Sequence, residues 1–423
     1  MLGLNKRKFE ALHRLLWRLA SKPADTKLLV AFQRKLIRQI IQLEARINKS
    51  KRARSDANSA LKVGGRSRVE SDRLRRRVGQ IDSRIDALTH LLFVWRCFGD
   101  GIAFLYLDKF ALKQTFFETT SLRPKQSAGW ISGKAGLANE LGELEKASSL
   151  GLPALLTDLT NTIRHGDLCI LTGPDPLLLE SKTSDRLNAR GKRQRAALEK
   201  LSTFYSTDVG KSLRGYEEVR RVQLHSEEVA YISELNFCID LAEQANIGIV
   251  RPEAGLHYFA VYGGSPETMN TALEAVIRDA TQVVYLNEYK SNGVWAPFYP
   301  FVLSIRRSKH LFDFVRGRMG LIVLFDNEEF DRRLAERGIV RDVDTKPPND
   351  WGDEYVMLKN LKTGAQAGVS KQFLLRIVLE FTSPDWMADY FAQLLNRSEV
   401  SSVEEAASAP RTRSHTPAPR APS

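Results

Sequence analysis

Over the first hundred positions apolar residues recur at helical intervals. Leu36, Ile37, Ile40, Ile41, Leu43 and Ile47 fall three or four apart, which places them on one stripe of a helix. The spacing predicts a helix from Lys27 to about Leu61 and a second from about Val69 to Phe98, with Gly64 and Gly65 breaking the run between them. Further along, GKAGLANELGELEKA predicts a helix over Lys134–Ala147. DLCILTGPDPLLLESK then sets two apolar runs about a Gly-Pro-Asp-Pro turn, an antiparallel hairpin. RLNARGKRQRAALEKLSTFY predicts a helix whose buried side carries Ala197, Leu198, Leu201 and Tyr205. A helix in EEVAYISELNFCIDLAEQA, strands in IGIVRP and LHYFAVYGG, a helix in ETMNTALEAVIRDA, runs at QVVYLNEY and LIVLFD and a late helix near WMADYFAQLLN continue the alternation. This is α/β or α+β material. From Asn396 onward Ser, Ala, Pro and scattered Arg replace the apolar pattern, as in a disordered tail. The expected organisation is a basic helical hairpin over 1–98, an α/β core over 99–265, an α+β region over 266–395 and a tail over 396–423.

The hairpin at Asp167–Lys182 carries the candidate chemistry. With Pro174 and Asp175 at its tip, facing residues have numbers summing to 349, so Asp167 lies opposite Lys182. Glu180, two residues from Lys182, shares their face because strand side chains alternate with period two. Two acids and a lysine then meet at the open end of an apolar hairpin. Paired carboxylates supply hard oxygen ligands for Mg²⁺ or Mn²⁺, and such an ion activates water and neutralises charge building on a phosphate. The plainer reading is a salt-bridged hairpin mouth.

An acidic residue, a turn, an apolar strand ending in E-x-K and a basic helix resemble the PD-(D/E)XK nuclease superfamily, over about residues 134–205. The resemblance implies a mixed sheet flanked by helices, the restriction-endonuclease-like core. It also implies a phosphodiester-cleaving activity that uses Mg²⁺ or Mn²⁺ on nucleic acid, DNA foremost. Asp167 matches the first metal ligand, Glu180 the second and Lys182 the catalytic lysine, with the backbone carbonyl of Ser181 as a further ligand. Members often carry a Gln on the following helix, where Gln194 stands, and a Glu on the preceding one, where Glu140 is the candidate beside Glu143 and Glu145. Phage defence or mobile-element biology is implied by analogy alone.

Around this centre, Arg186, Arg190 and Arg193 form a stripe with Lys192 and Arg195 beside it, fit for phosphates. His165, two residues before Asp167, is a candidate phosphate donor or a structural histidine. A second E-x-K, Glu288, Tyr289 and Lys290, has no turn and no mirrored acid. The aromatic group Trp295, Phe298, Tyr299 and Phe301 reads as core. Gly99, Asp100 and Gly101 match no phosphate-binding pattern and read as helix packing or a tight bend.

Charge sharpens the choice of partner. The 423 residues carry 63 Lys and Arg against 50 acids, a net charge of +13, which fits a polyanion. No apolar run is expected to span a bilayer, and the first twenty residues lack a secretory h-region. Cys97, Cys169 and Cys238 are isolated in apolar surroundings, so neither a disulfide framework nor a zinc site is indicated and a reducing cytoplasm fits. G-x-S-x-G and H-E-x-x-H are absent, which leaves serine hydrolase and zincin chemistry without support. The basic helical hairpin reads equally as a grip on nucleic acid or as a coiled-coil surface for a second copy or a partner protein. The alternative to a nuclease is therefore a catalytically inactive nucleic-acid-binding or scaffold protein.

Overall fold

The computed structural model describes residues 5–62, 67–181, 189–221, 226–263, 271, 273–274, 277, 281–290, 295–341 and 355–397. The expected tail lies outside them, as does most of the helix expected in ETMNTALEAVIRDA. The chain divides into two compact units. The first takes the described part of Met1–Arg221 together with that of Ser291–Leu303, and the second runs from residue 222 to 290 and resumes at 304. The units thus divide near 221, not at the boundaries of 98 and 265 expected from the sequence.

In the first unit, α1 (Lys6–Ser21) leads into α2 (Thr26–Lys62) and α3 (Arg68–Tyr106), the two long helices the periodicity predicts. Phe9 of α1 packs against Trp95 and Phe98 of α3, with ring centroids 6.0 and 5.2 Å apart. By length and composition alone α3 is apolar enough to cross a membrane, contrary to the expectation that no run would be. Yet 78% of that apolar stretch is buried inside the protein, so its hydrophobicity is used by the core. The hairpin is not a separate appendage, because its buried polar groups hold the segments that follow. Gln33 of α2 donates to the Ala154 carbonyl (2.8 Å) and accepts from the Leu156 N–H (3.0 Å). Glu44 of α2 accepts from the N–H groups of Ile131 (3.1 Å) and Ser132 (2.7 Å).

Short α4 (Lys109–Gln114), capped by Asp108, precedes α5 (Leu137–Ser149) and a three-stranded sheet, β1 (Ala154–Leu156), β2 (Leu168–Ile170) and β3 (Leu177–Leu179), in that order. Then come α6 (Ala189–Thr207) and the ribbon of β4 (Val209–Leu213) with β5 (Tyr216–Arg220). Leu201, Phe204 and Tyr205 of α6 form a core cluster with Ala111 and Leu213, against which Leu178 of β3 packs. Residues 295–303 return to complete this unit: Trp295, Phe298, Phe301 and Val302 are buried, and the Val302 carbonyl lies 3.1 Å from His13 Nε2. The aromatic group is core, as its composition suggests.

The second unit is built on α7 (Ile232–Ala245) and a four-stranded sheet in the order β6 (Ile247–Glu253), β7 (Leu256–Tyr262), β9 (Met319–Asp326), β8 (Thr281–Tyr285). It also holds α8 (Ser308–Arg316), α9 (Asn327–Glu336), a sheet of β10 (Ile339–Arg341), β11 (Tyr355–Asn360) and β12 (Gln366–Ser370), and α10 (Pro384–Arg397). Among the described residues every strand pairing in the named sheets is antiparallel, where a mixed sheet was expected. Short connections explain this: β1, β2 and β3 follow one another without the helical crossover that parallel neighbours require. The architecture is mixed α/β with several small sheets.

Candidate metal and phosphate centre

The expected hairpin forms, with its register moved. Leu168 faces Leu179, Cys169 faces Leu178 and Ile170 faces Leu177, so facing numbers sum to 347 rather than 349. Asp175 is not at the tip, because its carboxylate is held by the Arg221 guanidinium, and the Pro174 carbonyl accepts from the Asp108 N–H (2.7 Å). These anchors place Gly173 and Pro174 at the midpoint. The paired register ends at Leu168 and Leu179, and beyond it the Asp167 N–H turns to the Leu179 carbonyl, so the ladder does not continue evenly to Asp167 and Glu180. Lys182, the expected partner of Asp167, lies outside the described residues.

Asp167 enters the ladder through Gly166, whose φ is +72° and where an added Cβ would come within 2.9 Å of the Leu179 carbonyl oxygen. Only glycine fits both demands without strain. The Asp167 N–H donates to the Leu179 carbonyl (2.8 Å), and its carboxylate accepts from the Ser181 N–H (3.1 Å). Ser181 Oγ donates to Glu143 of α5 (2.9 Å). The end of β3 is thereby tied to both Asp167 and the helix in front of the sheet.

The geometry centres on a lysine that no sequence motif marks. Lys134 Nζ lies 2.7 Å from Glu140 Oε1, 2.7 Å from Asp158 Oδ2 and 3.0 Å from Asp167 Oδ1. Glu140 and Asp167, on different elements, are the acids the motif points to, and Asp158 joins them without such a signal. It follows β1 in the 3₁₀ turn Thr157–Leu159, an acid directly behind an apolar run, which is the pattern that could have found it. Burial works against the Lys134 ammonium, but hydrogen bonds from it to Asp158 and Glu140 outweigh that and raise its pKa above the ordinary lysine range. Burial pushes the Glu140 carboxyl up, opposed by Lys134 and reinforced by Asp167 and Asp158.

The segment carrying Asp158 is fixed by α3. Asp100, fully buried, accepts from the N–H groups of Asn161 (2.8 Å) and Thr162 (2.9 Å) and from Asn161 Nδ2 (2.8 Å). Gly99 admits that segment: an added Cβ would stand 1.9 Å from the Leu159 carbonyl oxygen. The Gly-Asp-Gly triplet is a helix-packing device, one of the two readings its sequence allows.

The other candidates are placed unevenly. Glu180 is half-buried just beyond β3. Lys182 and Arg186 lie outside the described residues, and so does the side chain of Arg190. Gln194, Lys192, Arg193 and Arg195 are on α6, the last three exposed and Arg195 paired with Glu199 at 3.1 Å. His165 is a correction to the phosphate-donor reading. It is 2% exposed, its Nε2 lies 2.9 Å from the Phe117 carbonyl and its Nδ1 3.1 Å from Lys125 Nζ. Burial, with Lys125 beside it, lowers its pKa to about 4, so a neutral ring donates from Nε2 and accepts at Nδ1 inside the fold. The second E-x-K is on a helical turn, Leu286–Tyr289, with Lys290 buried and donating to the Phe314 carbonyl (2.6 Å).

The second unit holds an acid–histidine group, Asp240 and Glu243 of α7 with His310 of α8. Arg307 (3.1 Å from Asp240) and Lys309 already balance its carboxylates, and hydrogen bonds from Lys309 and His310 hold Glu243 near pKa 2. A cavity of about 440 Å³ in the same unit is mostly apolar, with Phe325, Phe330, Leu358 and Phe391 among its walls. The acid–histidine group sets two carboxylates and an imidazole within 4.8 Å of one another, while among the described residues no carboxylate lines the cavity. Compared with known protein families, curated proteins and solved structures, the chain matches none.

Proposed function

We propose that the chain is a divalent-metal-dependent nuclease whose centre is built by Glu140, Asp158 and Asp167, with Glu180 as the further acid the resemblance implies. The observation that carries this reading is the convergence of three carboxylates, from α5, the turn after β1 and the start of β2, on one cation. The hairpin's spacing points to Asp167 and the superfamily resemblance to Glu140, and the two share that cation. The order of a Glu-bearing helix, an acid opening one strand of a hairpin, E-x-K closing the next and a basic helix accords with the PD-(D/E)XK resemblance. The donors fit Mg²⁺ or Mn²⁺, being hard oxygens gathered where a positive charge already sits. When bound, the metal would polarise the scissile phosphate and lower the pKa of a coordinated water.

The chain's own groups do the rest. Ser181 fixes the orientation of Asp167 through its N–H and of Glu143 through its hydroxyl. Asp100 and Gly99 set the position of the segment bearing Asp158. Exposed Lys192 and Arg193 offer charge to a phosphate backbone close in sequence to the centre. Three buried free cysteines accord with a reducing compartment.

Lys134 also favours a second reading, a nucleic-acid-binding protein in which the ammonium satisfies the carboxylates permanently and no metal enters. Cleavage of plasmid DNA and of RNA, with Mg²⁺, with Mn²⁺ and with EDTA, decides between them. Wild type is expected to cut with metal only, and Asp167→Asn and Glu140→Gln to be silent while still folded. A silent wild type on every substrate, or equal cutting by both variants, overturns the nuclease reading.

A further inference from the structure

Beyond Ile47 of α2 only Ser50 and Ala57 are buried, and no residue of α3 before Ile85 is. The distal halves of the two helices therefore project as an arm with little core of its own. It is stiffened at both edges: Ser67 and Glu70 form a capping box at the start of α3, and Arg54 bridges to Asp82 at 3.0 Å. Over its described residues, 48–62 and 67–84, the arm carries eleven Lys and Arg against four acids. That net of seven is more than half of the whole chain's +13. Arg52, Lys62, Arg73, Arg76, Arg77 and Arg84 are exposed and have no acid partner among the described residues. On α3, Arg73, Arg77 and Arg84 share one stripe, with Arg76 at its edge.

The composition of the arm discriminates among polyanions. A membrane-surface helix needs an apolar face to insert, yet Val69 is the one large apolar side chain exposed here among the described residues. Single-stranded nucleic acid is gripped by aromatic rings stacked on bases, and residues 48–84 contain no Phe, Tyr or Trp. A rod whose own residues bring cations and no ring, with Trp130 of a following segment against Lys51 (5.1 Å), suits the regular phosphate rows of a duplex. The arm is rooted beside the carboxylate centre: Glu44, which holds Ile131 and Ser132 just ahead of Lys134, starts the stretch of α2 that ends at Lys62. At 1.5 Å per residue that stretch is roughly 27 Å long, about eight base-pair steps.

We propose that the distal half of the α2–α3 hairpin is a phosphate-backbone grip for double-stranded nucleic acid. This rests on the nuclease reading for its purpose and deepens it by naming the duplex as substrate class. The test is fluorescence-anisotropy binding of a short duplex and of its single strand, in EDTA so that no cleavage intervenes, across a series of KCl concentrations. Replacing Arg73, Arg76, Arg77 and Arg84 together by Gln should weaken duplex binding at least tenfold and lower the slope of log affinity against log salt by about 3 to 4. Arg52→Gln with Lys62→Gln, on the other helix, should lower the slope by about 2. Replacing the same four arginines by Lys should restore it. The circular-dichroism melt should not move, because these side chains are exposed. An unchanged slope in both Gln variants overturns the proposal, as does wild-type binding to the single strand or to phosphatidylserine vesicles that matches or exceeds binding to the duplex. A wild type that binds duplex through the arm but never cuts would sink the nuclease reading and leave the arm standing.

Discussion

Lys134→Met isolates the electrostatics of the centre. The substitution keeps the apolar stem and removes the ammonium that three carboxylates share at 2.7–3.0 Å. Stripping one partner from a fully buried ion pair costs about 3–5 kcal/mol. Here the lysine and the two aspartates are between a fifth and roughly a quarter exposed, while Glu140 is nearly enclosed, so water screens part of the repulsion. A loss of about 2–3 kcal/mol in EDTA is expected on that basis. A divalent ion should reverse the sign. In the wild type it must first displace the ammonium, whereas the variant offers the carboxylates unopposed. Mg²⁺ at a hundred times its dissociation constant adds about 2.7 kcal/mol, enough to return the variant to near wild-type stability. Urea unfolding followed by tryptophan fluorescence, with and without Mg²⁺, reads the first quantity, and titration calorimetry reads the affinity. Equal Mg²⁺ stabilisation of both proteins would place the ion elsewhere. No stabilisation of either would mean that the carboxylates serve the lysine alone.

Three other perturbations follow from the packing around the centre. Gly99→Ala sets a methyl against the Leu159 carbonyl at 1.9 Å, a backbone clash no rotamer relieves. It should cost about 3 kcal/mol in urea unfolding, whereas Gly142→Ala, in α5 with nothing within 4 Å, should stabilise by about 0.5–1 kcal/mol; equal effects would refute the assigned contact. Gln33→Leu leaves the Ala154 carbonyl and the Leu156 N–H without their partner and should cost about 2–4 kcal/mol, read by the same unfolding curves and contradicted by a neutral result. His165 is held neutral with its pKa lowered to about 4 from an ordinary value of 6.5. Its contribution is therefore present above 6.5 and lost as pH falls through that window towards 4, about 3 kcal/mol in all. An NMR titration of its ring proton with a midpoint near 6.5 would show the burial argument to be wrong.

Helical periodicity locates the long helices of the first unit to within a few residues at most ends, because each buries one stripe over many turns. The same periodicity says nothing about Gln33, Glu44 and Asp100, polar residues on those stripes whose partners lie 61–123 positions away. The hairpin is legible from its punctuation, but its register is not. Three-residue strands specify pairing weakly, and the decisive anchors, Arg221 on Asp175 and Asp108 on Pro174, are tertiary. At the centre, Asp167 can be picked from the hairpin's spacing and Glu140 only through the family resemblance. Lys134 carries no such signal and Asp158 only that of an acid directly behind an apolar run, since what marks them is convergence in space. His165 has a functional residue's spacing and a structural residue's burial, and burial is the part a sequence withholds.

The return of residues 295–303 to the first unit has a consequence for synthesis. A ribosome delivers the chain from its amino end, so α1, α2 and α3 emerge long before Trp295, Phe298, Phe301 and Val302. After Arg221 has appeared, at the usual 5–20 residues per second, the nascent unit waits roughly 4–16 s for its last core residues. Throughout that interval the apolar surface those residues will cover faces solvent. A fragment ending at 221 should therefore bind hydrophobic dyes and holdase chaperones, and the full chain should acquire protease resistance in its first unit only once Leu303 has cleared the exit tunnel.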